Sequence, residues 1–106
     1  MTTFDKREEA FEKKFTIDED LKFKSIARRN KLLGLWVAEK LGKSGPDAAA
    51  YAKEVVAAEF DGGDAGVIRK AMADLSAKGS AIAEAELGAK MVELLAVAVG
   101  QVKAGT

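Results

Sequence analysis

Residues 19–42 read EDLKFKSIARRNKLLGLWVAEKLG, and this stretch decides the fold. Ile26, Leu33, Val37 and Leu41 recur at i, i+7, i+11 and i+15, the spacing of one face of an α-helix. Leu32, Leu35 and Trp36 widen that face until LLGLWV is apolar nearly all round. A helix of that kind is packed on several sides. Its second half is therefore expected to be the central post of a helical bundle, with Trp36 buried between helices beside Leu32, Leu33 and Val37. Its first half has a thin apolar stripe and carries Lys22, Lys24, Arg28, Arg29 and Lys31. Gly42 stands where a left-handed C-terminal cap belongs.

Downstream, Lys43-Ser44-Gly45-Pro46 reads as a turn, with Pro46 opening the next helix. Residues 46–60 gather Ala52, Val55, Val56 and Phe60 on one face, with Ala49 and Tyr51 alongside. A loop at 61–64 follows, with Asp64 as N-cap of a helix over 65–77. Ile68, Ala71, Met72 and Leu75 form its apolar face. Gly79 and Ser80 then punctuate as C-cap and N-cap. The last helix, about 81–102, aligns Leu87, Met91, Leu94, Leu95, Ala98 and Val102, and its Gly-containing end should fray. No stretch alternates as a strand would. Short connections between such helices imply antiparallel neighbours. The expected fold is all-α, a four-helix bundle over residues 17–106.

Upstream, MTTFDKREEAFEKKF places Phe4, Phe11 and Phe15 on one helical face among charges. Glu9 and Lys13 are a favourable i,i+4 pair. Three rings are little to bury, and a helix this short is marginal alone in water. Thr16-Ile17-Asp18-Glu19 fits the capping-box pattern, which marks either a new helix or a hinge within a longer one. Residues 1–16 are thus expected to be a mobile, partly helical arm. An amphipathic segment of this kind is the usual material for helix-in-groove recognition.

Composition narrows the function. The 106 residues suit one domain, which at this size buries roughly 60–70 % of its unfolded surface. The chain has no Cys and no His, which removes disulfides, the usual zinc sites and the usual general base near neutral pH. Seventeen basic residues balance seventeen acidic ones, which argues against non-specific nucleic-acid binding. No basic start with an apolar run suggests a signal peptide, and no apolar run approaches the ~20 residues of a membrane span. A cytoplasmic location without membrane insertion is expected.

No motif carries catalysis or a cofactor. Gly42-Lys43-Ser44 resembles the tail of a P-loop, but Val37 occupies the position of the leading Gly and a helix precedes it. Asp61-Gly62-Gly63-Asp64 lacks the ligand periodicity of a calcium loop. Glu84, Glu86 and Glu93 are spaced for an exposed helix face. An enzyme is not expected, and no metal site is. The basic cluster leaves three readings open: a solvated face, docking to an acidic protein surface, or contact with a phosphate-bearing ligand through Lys24, Arg28, Arg29 and Lys31.

FDKREEAFEKKF at 4–15 and ARRNKLLGLWVAEKLG at 27–42 resemble the zeta subunit of alphaproteobacterial F-type ATP synthases. The resemblance runs over most of the chain and is looser in the two C-terminal helices. It implies a four-helix bundle with a mobile N-terminal arm, and an inhibitor of ATP hydrolysis by the F1 sector. The arm would enter a catalytic interface between alpha and beta subunits, near the gamma shaft, and block hydrolytic rotation. The protein would then lie peripheral to the inner membrane through ATP synthase. Phe4, Phe11 and Phe15 would anchor, while Arg7, Glu8, Glu12 and Lys13 would set register and partner choice. Lys6 stands where acidic residues are common in the family. Weak ATP or ADP binding is also implied, which leaves an adenine-nucleotide-binding regulatory module as the alternative; no motif here places such a site.

Overall fold

The computed structural model describes residues 19–105, and in them four helices and no strand. The helices are α1 (Glu19–Lys40), α2 (Gly45–Ala58), α3 (Asp64–Ala77) and α4 (Glu84–Lys103). The expected arm, with the roles expected of Phe4 to Phe15, lies outside the described residues.

Helix α1 is the post around which the bundle is built. It packs most extensively on α2 and on α4, and less on α3. Leu33, Val37 and Ala38 are wholly enclosed and meet Val55, Val67, Ala71, Leu75, Leu87 and Met91 in one core. Each enclosed Leu, Val or Met side chain contributes about 1.5–3 kcal/mol of burial. Gly34 lets α2 come close: a Cβ there would stand 2.6 Å from the Ala52 Cα. The α1–α2 contact therefore needs a residue without a side chain at 34.

Both glycine stops behave as the sequence indicates. Gly42 has φ 79°, and behind it Lys43 N–H donates to Ala38 O at 2.9 Å and Gly42 N–H to Glu39 O at 3.1 Å. Gly79 repeats the arrangement, with Ser80 N–H donating to Leu75 O and Gly79 N–H to Ser76 O. These paired bonds satisfy carbonyls that a helix end would otherwise orphan.

Five expectations need correction. Trp36 is only half-buried: Lys40 Nζ lies 4.7 Å and Lys90 Nζ 5.3 Å from the ring centroid, so two ammonium groups lie against its faces. Phe60 is 81 % exposed, because α2 ends at Ala58 and the chain turns its ring away from the core. Ser80 does not cap α4, which starts at Glu84; its hydroxyl donates to Lys40 O at the end of α1, at 3.3 Å. Asp64 is not the cap of α3 but its first residue, and its carboxylate is turned inward to Arg29. The C-terminal stretch expected to fray is helical through Lys103.

Candidate functional site

The first half of α1 is amphipathic in an unusual sense: its outer side is neither core nor uniformly charged. Phe23 is 66 % exposed there, between Lys22 and Lys24. Val56 and the projecting Phe60 come from the end of α2. With Ile26, Ala27, Asn30 and Glu59 they line a hollow of about 150 Å³. A shallower groove of about 530 Å³ continues across Phe23 and Ala27 toward the end of α4 at Val102 and Gly105. Lys24, Arg28 and Lys31 stand along that second side. The surface is thus an apolar strip along α1, with cations on its α4 side and Glu59 on its α2 side.

A buried polar network fixes the α2 side. Arg29 is 1 % exposed. Its Nη2 donates to Asp64 Oδ1 at 2.6 Å and its Nη1 to Asp64 Oδ2 at 3.4 Å, a two-pronged grip on one carboxylate. Arg29 Nε donates to Asn30 Oδ1 at 2.9 Å, and Asn30 Nδ2 donates to Glu59 Oε1 at 2.8 Å. Arg29 Nη2 also lies 3.4 Å from Glu59 Oε1. These bonds tie α1 to the residue after α2 and to the start of α3. Burial pushes the Glu59 carboxyl above the usual carboxylate range, and the charge of Asp64 adds to this; Asn30 and Arg29 pull the other way. Gly66 makes room nearby, since a Cβ there would clash with the backbone oxygens of Asp61 and Ala58.

A second network closes the opposite end of the bundle. Tyr51 Oη donates to Asp74 Oδ2 at 2.8 Å, and Lys70 Nζ bridges Glu54 at 3.0 Å and Asp74 at 3.1 Å. Burial, the bond to Asp74 and the nearby carboxylates hold the Tyr51 phenol far above its ordinary value. Desolvation alone would lower the Lys70 ammonium, but its two carboxylate partners hold it above its usual value. Lys43 and Lys78 stand on the lip of an adjoining groove of about 350 Å³. The network sets one ammonium against two carboxylates and joins α2 to α3. Among the described residues no three His, Cys, Asp or Glu gather as metal ligands would, and no helix is long and apolar enough to cross a membrane.

The basic cluster is split by the structure. Lys24 and Lys31 are exposed; Lys24 pairs with Asp20 at 3.0 Å, one helical turn away. Arg28 is half-buried and donates to Gln101 Oε1 of α4 at 2.9 Å. Arg29, expected to join them at the surface, is instead committed to Asp64 inside the fold. Phe4, Arg7, Glu8, Phe11, Glu12, Lys13 and Phe15 lie outside the described residues. Sequence reasoning missed Phe23, Val56 and Phe60 as a surface feature. The one available signal was Phe23 itself, an aromatic between two lysines in the thinly apolar first half of the helix.

Comparison with known proteins adds the family. No curated protein matches significantly. Among solved structures, one determined in solution by NMR is 50 % identical, with a TM-score of 0.71 over 81 % of this chain and 99 % of its own. The family model of the ATPase inhibitor subunit zeta matches residues 1–101, nearly the whole length, including the N-terminal segment. The chain belongs to the ATPase inhibitor subunit zeta family.

Proposed function

We propose that this protein inhibits ATP hydrolysis by the F1 sector of ATP synthase, and that residues 1–16 carry the inhibition. The observation behind this reading is the family match, which spans the N-terminal segment together with the bundle. The segment enters a catalytic interface between alpha and beta subunits near gamma and obstructs rotation in the hydrolytic direction. Phe4, Phe11 and Phe15 bury their rings in that interface, while Arg7, Glu8, Glu12 and Lys13 fix register. Residues 17–106 are the bundle that delivers the segment. Lys24 and Lys31, exposed at the base of the segment, meet acidic protein surface beside the entry point, with Arg28 between them.

The chemistry of the bundle supports a binding role over a catalytic one. The buried charged groups among the described residues, Arg29 and Asp64, are spent on each other, and the half-buried Lys70 is spent on Glu54 and Asp74. Ordering the segment on binding costs free energy, so affinity is moderate and tunable. Tethering it to a docked bundle raises its effective concentration and offsets that cost.

The test is a titration of isolated cognate F1 with the intact protein while ATP hydrolysis is followed. Saturable inhibition is expected, weakened by the Phe11→Ala, Phe15→Ala double change. ATP synthesis by coupled membranes should suffer much less, because rotation in the synthetic direction pushes the segment out. Intact protein that neither binds nor slows F1 contradicts the reading.

A further inference from the structure

The apolar strip along α1 has a candidate occupant in the chain itself. Residues 1–18 lead directly into Glu19, and Phe23 lies one turn into α1. We propose that residues 4–15 fold back along α1 as an antiparallel helix, seating Phe11 on the strip formed by Phe23, Ala27, Val56 and Phe60. The fold-back rests on the reading of this segment as the inhibitory one, and it makes the strip a holster that competes with the ATPase for the same ring.

Charge and handedness argue for it together. Wound as a helix, residues 4–15 carry Phe4, Phe11 and Phe15 within a narrow stripe. Successive residues turn by about 100°. Asp5, Glu8 and Glu12 then fall on one flank of the stripe, and Arg7 and Lys14 on the other. The strip on α1 is sided as well, with Lys24, Arg28 and Lys31 toward α4 and Glu59 toward α2. When two right-handed helices face each other antiparallel, the acidic flank of the segment falls on the α4 side and the basic flank on the α2 side. Both flanks then meet opposite charge. Run parallel, both would meet like charge. A short turn at 16–18 permits only the antiparallel case.

Register agrees with the pairing. In a hairpin turning at 16–18, Phe15 comes level with Glu19 and Phe11 with Phe23. Ala27, one turn on, is small and leaves that ring room. Glu8 comes level with Ile26, between Lys24 and Arg28, Asp5 falls between Arg28 and Lys31, and Arg7 comes level with Ala27 on the Glu59 side. The charge pairs are exposed ones and serve orientation more than affinity. Ring burial on Phe23 and Phe60 supplies the attraction.

The fold-back sets potency. The segment binds the ATPase only when released, so apparent affinity falls by the fraction of time it is free. Phe60→Ser removes an exposed ring from the strip and leaves the core intact. It should lower the concentration for half-inhibition by about five- to tenfold, the gain expected when a mostly docked segment is freed.

The direct experiment uses the absence of cysteine from the chain. A nitroxide on Ala57→Cys, next to Val56 and exposed, should strongly enhance relaxation of the amides of Glu8, Phe11 and Glu12 in the full-length protein. A nitroxide on Ala85→Cys, at the other end of the bundle on α4, should not. Lys24→Glu should weaken the first effect, and adding Glu8→Lys should restore it. Equal enhancement from both labels overturns the proposal. So does enhancement seen between labelled and unlabelled molecules in a mixed sample, which would assign the strip to a second copy. A segment that inhibits F1 yet shows no enhancement removes only the fold-back. A segment that shows enhancement yet fails to inhibit removes only the functional reading.

Discussion

The guanidinium of Arg29 grips the carboxylate of Asp64 with two nitrogens, the nearer at 2.6 Å, from a position 1 % exposed. This pair joins the middle of α1 to the first residue of α3, and Asn30 and Glu59 extend it to the end of α2. It holds the floor beneath the exposed Phe23 and Phe60.

Removing one partner should be costly. Arg29→Ala leaves the buried Asp64 and the half-buried Glu59 as neighbouring carboxylates without their cation, and a loss of about 3–5 kcal/mol is expected. That is a large part of the ~5–15 kcal/mol that holds a typical domain together. Arg29→Lys should recover little, because an ammonium cannot grip a carboxylate with two parallel bonds. Urea titration followed by circular dichroism measures both. A loss below ~1 kcal/mol, the range of surface pairs, would show that the pair is spread open in solution.

Glu59 gives the bundle a pH dependence of defined sign. Its carboxyl is raised in the folded state, chiefly by burial. The fold therefore holds its proton more tightly than the unfolded chain does. The stability this provides is fully present below the unfolded value near ~4.3 and is lost as pH rises through the folded value. Glu59→Gln removes this contribution. The stability of the wild type relative to the variant should fall as pH rises from acid toward neutral. A difference that grows with pH would show that Arg29 dominates over burial at this carboxyl.

Tyr51 is the chain's only tyrosine, so its ionisation can be read directly from tyrosinate absorbance. Its phenol is raised by burial and by Asp74. The linked stability is present below the unfolded value near ~10 and disappears as pH rises beyond it. Tyrosinate should therefore appear together with loss of helical signal, in one cooperative alkaline transition. A titration near ~10 with helicity intact would place the hydroxyl in water.

Two glycines should respond in opposite directions. Gly34→Ala drives a methyl group into the Ala52 backbone and should cost about 1–3 kcal/mol through separation of α1 and α2. Gly100, inside α4, has open space where a Cβ would stand. Gly100→Ala should stabilise by about 0.4–1 kcal/mol, because it restricts the unfolded chain. Thermal melting of the two variants checks both signs, and a neutral Gly34→Ala would mean that the two helices are loosely packed.

The architecture was legible because helix signals are local. Leu33, Val37 and Leu41 announce a buried face through spacing alone, and Gly42 and Gly79 announce stops through the conformation they permit. What escaped depends on distant partners. Arg29 looks like its neighbours Arg28 and Lys31 until α3 brings Asp64 to it across 35 positions. Phe60 continues the period of α2, but the helix ends two residues earlier and the ring leaves the face that the period assigned to it. Trp36 was assigned to the core by its apolar neighbours, whereas Lys90, which lies against its ring, comes from another helix. The strip at Phe23 and Phe60 escaped for the same reason, since it exists only where α1 and α2 meet.

The central claim is that residues 1–16 inhibit and the bundle carries them. It is tested most directly by deleting residues 2–15 and measuring ATP hydrolysis by isolated cognate F1. The truncated protein should keep the helical signal of the bundle and melt within a few degrees of the intact chain, since it loses none of the core residues around Leu33 and Val37. It should leave hydrolysis uninhibited at concentrations where the intact protein saturates. Full inhibition by the truncated bundle would contradict the account and move the inhibitory surface onto the helices themselves.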